Sequence, residues 1–323
     1  MKKSKDIYPY RMKNIRQPGK KRVDSVKGTK LEDYSVALAF LKLLTTPFGF
    51  VTGMSMIFVS AFKFFLPQYL QVIHLKHIPV KHVDHKYDEF IPYKTEFITT
   101  YLQFVKYWIR PMVMLTKRFG WWNGAKLGSE YMNYLSHAYR YAWEIYSQSF
   151  TTTYRPAEKQ NKTLRKTQNA DPHFMCVPSL HISVCALTIS FYRMLFQREK
   201  FSSEEAEYWD REIYGLGKEI AESVLYLKQH SVNCIPSALY MISKKFPELF
   251  PPEMAVELVE DFLSEKDDIT EENKKLIREH ILFQYERFLI EGIQFDNWKD
   301  PVLRWLKDYE FYIPSYAKFS KIK

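Results

Sequence analysis

The chain has 323 residues, 46% of them hydrophobic and 17% aromatic, with ten glycines and a formal net charge of +10. That is apolar material for one large or two modest domains, and so few glycines argue against a Gly-rich nucleotide fold. A mean hydropathy of −0.35 argues against an ordinary polytopic membrane protein, although the aromatic share suits a chain that meets lipid.

Residues 1–30 carry eleven Lys/Arg against Asp6 and Asp24, nearly the whole positive excess. The charge therefore reads as a basic, poorly ordered arm that suits an anionic membrane surface. It is not a basic face of the fold, and no specific nucleic acid is expected. No cleavable signal peptide is visible. Cys176, Cys185 and Cys234 do not suggest a disulfide framework.

Leu31–Leu44 has the pattern of a short helix. Phe48–Leu66 then runs 19 residues with Lys63 as its one charge, near the length that spans a bilayer. It reads as a membrane-spanning or re-entrant helix, or else as a buried core helix. Residues 71–90 read as a polar connection at the surface, holding His74, His77, His82 and His85. Two His-x2-His pairs have zinc-ligand spacing, but Pro79 breaks any helix that would align them.

Residues 93–117 have helical spacing interrupted by Lys106 and Arg110, which fits an amphipathic helix better than a free transmembrane one. A Tyr- and Trp-rich helix over 125–150 follows, with Pro156 as its stop. Residues 155–181 read as a basic loop containing Lys159, Lys162, Arg165 and Lys166, with Ser179 as cap of an apolar helix through Leu195. Ser202 and Glu205 form a capping box for a helix over 203–229. Further helices are expected over 231–245, 252–265, 270–293 and 300–310.

Three islands within the stretch from Gln148 to Cys234 carry the chemistry: Tyr154-Arg155-Pro156, then Pro178-Ser179-Leu180-His181, then Lys228-Gln229-His230-Ser231-Val232. Two histidines and an arginine have the makings of phosphoryl transfer, which needs a nucleophile, a proton donor and a cation on the phosphate oxygens. In order and internal spacing the islands resemble the type 2 phosphatidic acid phosphatase superfamily. Its pattern is Lys-x6-Arg-Pro, Pro-Ser-Gly-His and Ser-Arg-x5-His-x3-Asp. Here Gln148 stands for the Lys, Leu180 for the Gly, Val224 for the Arg and Cys234 for the Asp.

The resemblance implies an all-α helical bundle of that kind over 93–245, after a membrane-proximal segment (31–92) and before a helical extension (246–323). It implies His230 as nucleophile and His181 as acid and base. Arg155 and Ser179 would hold the phosphate, with Gln148 beside them and Lys162 or Lys166 supplying the missing cation. No cofactor is required, and the expected substrate is a phosphorylated lipid or small phosphate ester at a membrane. Two other readings stand beside this one. The replaced support residues fit a catalytically degenerate protein that binds a phosphorylated lipid or a protein partner. And His181/Cys185 with His230/Cys234, each pair four apart on a helix, has the composition of a tetrahedral zinc site.

Overall fold

The structure, a computed structural model, describes residues 7–156 and 161–319; Lys2, Lys3, Lys5, Asp6, Glu158 and Lys159 lie outside them. It is 66% helix and 2% strand, the all-α bundle expected. Eleven helices matter here: α1 Val36–Leu44, α2 Pro47–Val72, α3 Phe104–Phe119, α4 Trp121–Tyr146, α5 Lys162–Ala170, α6 Leu180–Arg198, α7 Ser203–Tyr226, α8 Cys234–Lys245, α9 Pro252–Asp261, α10 Glu271–Glu291 and α11 Asp300–Asp308.

The helix α6 is the axis of the bundle. Apolar residues occur all round it, so it is buried on every side, with α3, α4, α7 and α8 packed against it. Two short strands, β1 Val80–His82 and β2 Phe150–Thr152, pair in parallel with Val80 opposite Phe150. They tie the connection after α2 to the segment after α4.

Several expectations change once the chain is packed. Over residues 7–30 the arm packs on the fold, because apolar residues stand between its cations. Val26 is buried, Tyr10 sets its edge on Tyr134 at 4.7 Å, and Met12 N donates to Glu130 at 3.0 Å. The connection after α2 is no surface loop: Val83, Asp84 and Asp88 are buried. The helix α4 ends at Tyr146, four residues before β2, so Pro156 is not its stop. The basic stretch before Ser179 contains α5. Ser202 caps α7 through Glu205 N at 3.2 Å, but the Glu205 carboxylate is drawn instead to Arg118, at 2.6 and 2.8 Å.

Among the described residues two helices are long and apolar enough to cross a membrane, with 28% of the apolar window of Pro47–Val72 buried and 83% of that of Leu180–Arg198. The second is the bundle axis. The first, α2, lies lengthwise on α4 and presents Phe50, Ile57, Phe58, Phe62 and Phe65 outward.

Candidate functional site

The second and third islands meet. Ser179 caps α6, its Oγ accepting from Ile182 N at 3.4 Å, which sets His181 in the first turn. His230 is 7% exposed, and its Nε2 lies 3.3 Å from His181 Nδ1 and 3.3 Å from Ser179 Oγ. Tyr101 and Phe104 cover the His181 ring, with centroids 4.8 and 4.4 Å away. Burial, with His230 beside it, holds His181 down to about 3, so it is neutral at pH 7. His230 Nδ1 is buried with no hydrogen-bond partner.

The turn that carries His230 is built by the end of α7. The Val224 carbonyl accepts from Gln229 N at 2.9 Å and from His230 N at 3.2 Å, while Leu225 O accepts from Lys228 N at 3.1 Å. This is a Schellman closure. Its left-handed position, usually a glycine, is Lys228 at φ 53. The Lys228 side chain is buried and donates to the Asp88 and Ile91 carbonyls at 2.6 and 2.5 Å. Burial outweighs the nearby Asp88 charge and lowers Lys228 to about 8.

The buried connection clamps this turn. Asp88 Oδ1 accepts from Val232 N at 2.8 Å and Oδ2 from His85 N at 2.8 Å. Burial raises Asp88 to about 6 against those bonds. Asn233 donates to Val83 O at 3.0 Å and to Tyr309 Oη at 2.7 Å, and its Oδ1 lies 2.8 Å from His280 Nε2. His85 stacks on His280 at 4.0 Å and His82 on Tyr154 at 4.2 Å. The C-terminal extension therefore braces the site. Two of the four clustered histidines are packing groups at it, and among the described residues no group of three His, Cys, Asp or Glu is arranged to hold a metal ion.

The first island arrives differently than expected. Arg155 comes off β2, and Nη2 donates to Asp171 Oδ2 at 2.6 Å and to Gln229 Oε1, one residue from His230. Its Nη1 reaches the Asp171 carbonyl at 3.4 Å, while Nε is buried and unpaired. Asp171 continues to His173, whose Nδ1 is 3.8 Å from Oδ2 and whose Nε2 is 2.8 Å from Thr153 Oγ1. His173 then meets Cys176 Sγ at 3.6 Å. Burial opposes ionisation of Asp171, but the hydrogen bond to His173 and the Arg155 charge hold it well below the usual carboxylate range. Burial likewise opposes a Cys176 thiolate. The hydrogen bond from Cys234, the His173 charge and the contact with His230 outweigh it and hold the thiol well below its ordinary value. Burial and the Cys176 charge push Cys234 up.

Four sequence assignments are corrected. Gln148 is exposed beyond the end of α4 and donates back to Glu144 O at 3.1 Å, because a loop and β2 separate it from Arg155. Lys162 and Lys166 are exposed on α5, whose buried face is carried by Leu164, so neither supplies the missing cation. The His181/Cys185/His230/Cys234 quartet is not assembled: Cys185 turns into an apolar cavity of about 50 Å³ lined by Ile182, Ala186, Ile189 and Leu239. Burial there raises its thiol. Asp171, His173 and Cys176 had no assigned role, although they stand within eight residues ahead of Ser179, where an Asp-x-His-x2-Cys spacing was available to notice.

These burials predict acid sensitivity. His85 and His280 are held to about 3 and about 4, by burial first and then by neighbouring positive charge. With His181 they stay neutral when folded, whereas the unfolded imidazoles bind protons below about pH 6.5. Their stabilising contribution is therefore present above pH 6.5 and lost as pH falls towards their folded values. The raised groups, Asp88 at about 6 and with smaller shifts Asp84, Glu130, Glu222, Glu248 and His173, work in the opposite sense: their contribution is lost as pH rises through their folded values. Between about pH 7 and 5 three imidazoles outweigh them, and the urea midpoint is expected to drop. An unchanged midpoint would show that the imidazoles are not buried neutral.

Compared with known proteins, the chain matches no family model, no curated protein and no solved structure.

Proposed function

We propose that the chain is a membrane-associated phosphatase acting on a phosphorylated lipid or another phosphate monoester through a phosphohistidine. The observation that carries this reading is the contact of His181 Nδ1 and Ser179 Oγ with His230 Nε2, each at 3.3 Å, at the N-terminus of α6. His230 Nε2 attacks phosphorus and the P–O ester bond breaks. The leaving oxygen takes a proton through His181. Water then attacks, gives a proton to His181, and the P–N bond breaks. The free N–H groups at the start of α6 and the Ser179 hydroxyl hold the phosphate oxygens. Because His181 is neutral in the ligand-free protein, its proton arrives with the substrate, as the phosphate monoanion or through the rise in His181 basicity that an anion beside it produces.

A second reading rests on Arg155. Asp171 already pairs with it, Gln148 is remote, and Lys162 and Lys166 face water. That set favours a phosphatase-like bundle that binds a phosphorylated lipid without hydrolysing it. Phosphate release from phosphatidic acid and from a soluble aryl phosphate separates the two. Release favours the hydrolase, and binding of phosphatidic acid vesicles without release favours the binder.

The membrane side of the reading rests on α2. Its outer face is apolar over a length of about 39 Å at 1.5 Å per residue. Trp121 and Trp122 sit exposed at its start, with Trp122 5.0 Å from Phe48. Lys63 and Lys76 lie over Trp143 near its far end. Aromatic rings and lysines flanking an apolar stripe suit a bilayer interface. The supporting helix α4 carries Lys126, Glu130, Arg140 and Glu144, which favours α2 lying on the lipid over crossing it. The end of α2 also holds the site's loop: Gln68 Oε1 accepts from Phe174 N at 2.9 Å, and Tyr69 donates to Ala170 O at 2.5 Å. Phe58→Asp with Phe62→Asp is expected to abolish co-sedimentation with anionic phospholipid vesicles while leaving the fold intact. Full sedimentation of that variant would reject α2 as the lipid-facing element.

A further inference from the structure

The loop that leaves α2 is pinned to a fixed shape, yet it turns apolar residues to solvent. Leu75 N donates to Leu70 O at 2.9 Å and His74 N to Gln71 O at 3.1 Å, a second Schellman closure, with His74 in the left-handed position at φ 58. The Gln71 side chain bridges the loop: Nε2 donates to Ile78 O at 3.1 Å, and Oε1 accepts from Ile78 N at 2.9 Å. In such a closure the residue after the left-handed position frequently packs back onto the helix. Here that residue is Leu75, which is 74% exposed, and Ile73 is 60% exposed. With both ends pinned, the loop cannot bury these side chains without breaking its own hydrogen bonds.

Two ammoniums stand behind this apolar tip. Lys63, from a π-helical turn of α2 (Ala61–Phe65), and Lys76, from the loop, lie 5.4 and 4.7 Å from the centre of the one Trp143 ring. Such turns recur at functional sites; in this one Lys63 is half-buried while Phe62 and Phe65 face outward. The carboxylate next to Trp143 in the chain, Glu144, accepts instead from Trp298 Nε1 at 2.7 Å. Neither ammonium has an ion pair among the described residues. An indole face holds a cation weakly and leaves N–H donors free for phosphate oxygens.

We propose that residues 72–77 are a bilayer-docking loop: Ile73 and Leu75 enter the apolar layer, and Lys63 and Lys76 take the phosphate of an anionic phospholipid. An apolar tip with cations behind it matches the depth order of a bilayer, acyl chains first and headgroup phosphates above them. Two ammoniums without acid partners select an anionic surface over a neutral one. The proposal rests on the membrane-facing reading of α2 and adds to it a headgroup site and an orientation. The loop runs into β1, and its partner strand β2 leads to Arg155. Just before the loop, Gln68 and Tyr69 hold the Phe174 N–H and the Ala170 carbonyl on either side of Asp171. Docking here therefore brings the lipid to the side of the bundle that carries the site.

The native cysteines are all buried, so an environment-sensitive fluorophore on Leu75→Cys reports the loop in the full chain. The probes are phosphatidylcholine vesicles with and without phosphatidylglycerol. A blue shift is expected with the anionic vesicles, and none for the same label on Phe283→Cys, which is exposed on α10. Lys63→Gln/Lys76→Gln is expected to weaken binding to the anionic vesicles about 30-fold, about fivefold per lysine, and to leave the neutral ones unchanged. Leu75→Ser weakens binding to both. Co-sedimentation of the labelled protein with a silent Leu75 label would put the lipid contact on the basic arm and overturn the proposal. No loss in Lys63→Gln/Lys76→Gln would overturn the headgroup site, and a shift that grows with protein concentration without lipid would show a second copy on the loop instead. Failure of the α2 reading looks different: Phe58→Asp/Phe62→Asp would sediment fully while the Leu75 label still shifts. Phosphate release enters none of these measurements, so a docked protein that releases none would sink the hydrolase reading alone.

Discussion

His230→Ala is expected to lower phosphate release by about 10⁴-fold or more while leaving the protein folded, with a single cooperative urea transition. The loss is large because the covalent path closes entirely, and water reacting directly keeps only the electrostatic help of the α6 N-terminus and Ser179. The turn survives because backbone bonds to Val224 hold it, although the buried ring and its Nε2 contacts with Ser179 and His181 are lost. His181→Ala should separate the two roles. It is expected to cost about 10²–10⁴ on an alkyl phosphate, where the leaving oxygen needs a proton. On an aryl phosphate with a good leaving group the first step survives, and radiolabelled phosphate should accumulate on His230 because no base activates the water. Equal losses on both substrates, or unchanged release in His230→Ala, would remove the phosphohistidine route.

Asp88→Ala is expected to destabilise the protein by about 2–6 kcal/mol, about 1–3 kcal/mol for each of the two backbone donors it leaves unsatisfied. One carboxylate here serves Val232 N, His85 N and the field of the buried Lys228. Removing it leaves two backbone donors unsatisfied and takes away the largest of the three negative charges, with Glu89 and Asp84, that favour the Lys228 ammonium. Asp88→Asn keeps the shape and one acceptor and should recover part of the loss. The raised acidity constant of Asp88, about 6, gives the sign of its pH dependence: the unfavourable burial of the charged carboxylate grows as pH rises through that value. The difference between Asp88→Asn and the parent should therefore narrow above it. Denaturant unfolding of the three proteins measures this. A loss below about 1 kcal/mol in Asp88→Ala would show that the turn bearing His230 does not depend on the connection after α2.

The helices were legible in the chain because their determinants are local. Ser179, Ser202 and Thr270 each accept from a backbone N–H three residues on, and apolar spacing marks the buried faces within one or two turns. The meeting of Ser179, His181 and His230 was expected only from the resemblance of two islands to the phosphatase pattern. What surrounds them was not. Asp88 and Val232 are 144 residues apart, and Lys228 and Ile91 are 137 apart. Only the path of the backbone decides such pairings, and a His- and Lys-containing connection reads as solvated until a neighbour buries it.

The same limit explains Gln148, Lys162 and Lys166. Their positions relative to Arg155 in sequence held no information about β2 and α5, which turn them outward. The chain by itself determined the all-α class and the helices, because caps and periodicity act over a few residues, while the two histidines were marked by their resemblance to a known pattern. The tertiary structure decided that Arg155 is tied to Asp171 and that α2 keeps an apolar face outward. These depend on desolvation and on contacts between distant segments, and both come into being only when the bundle closes.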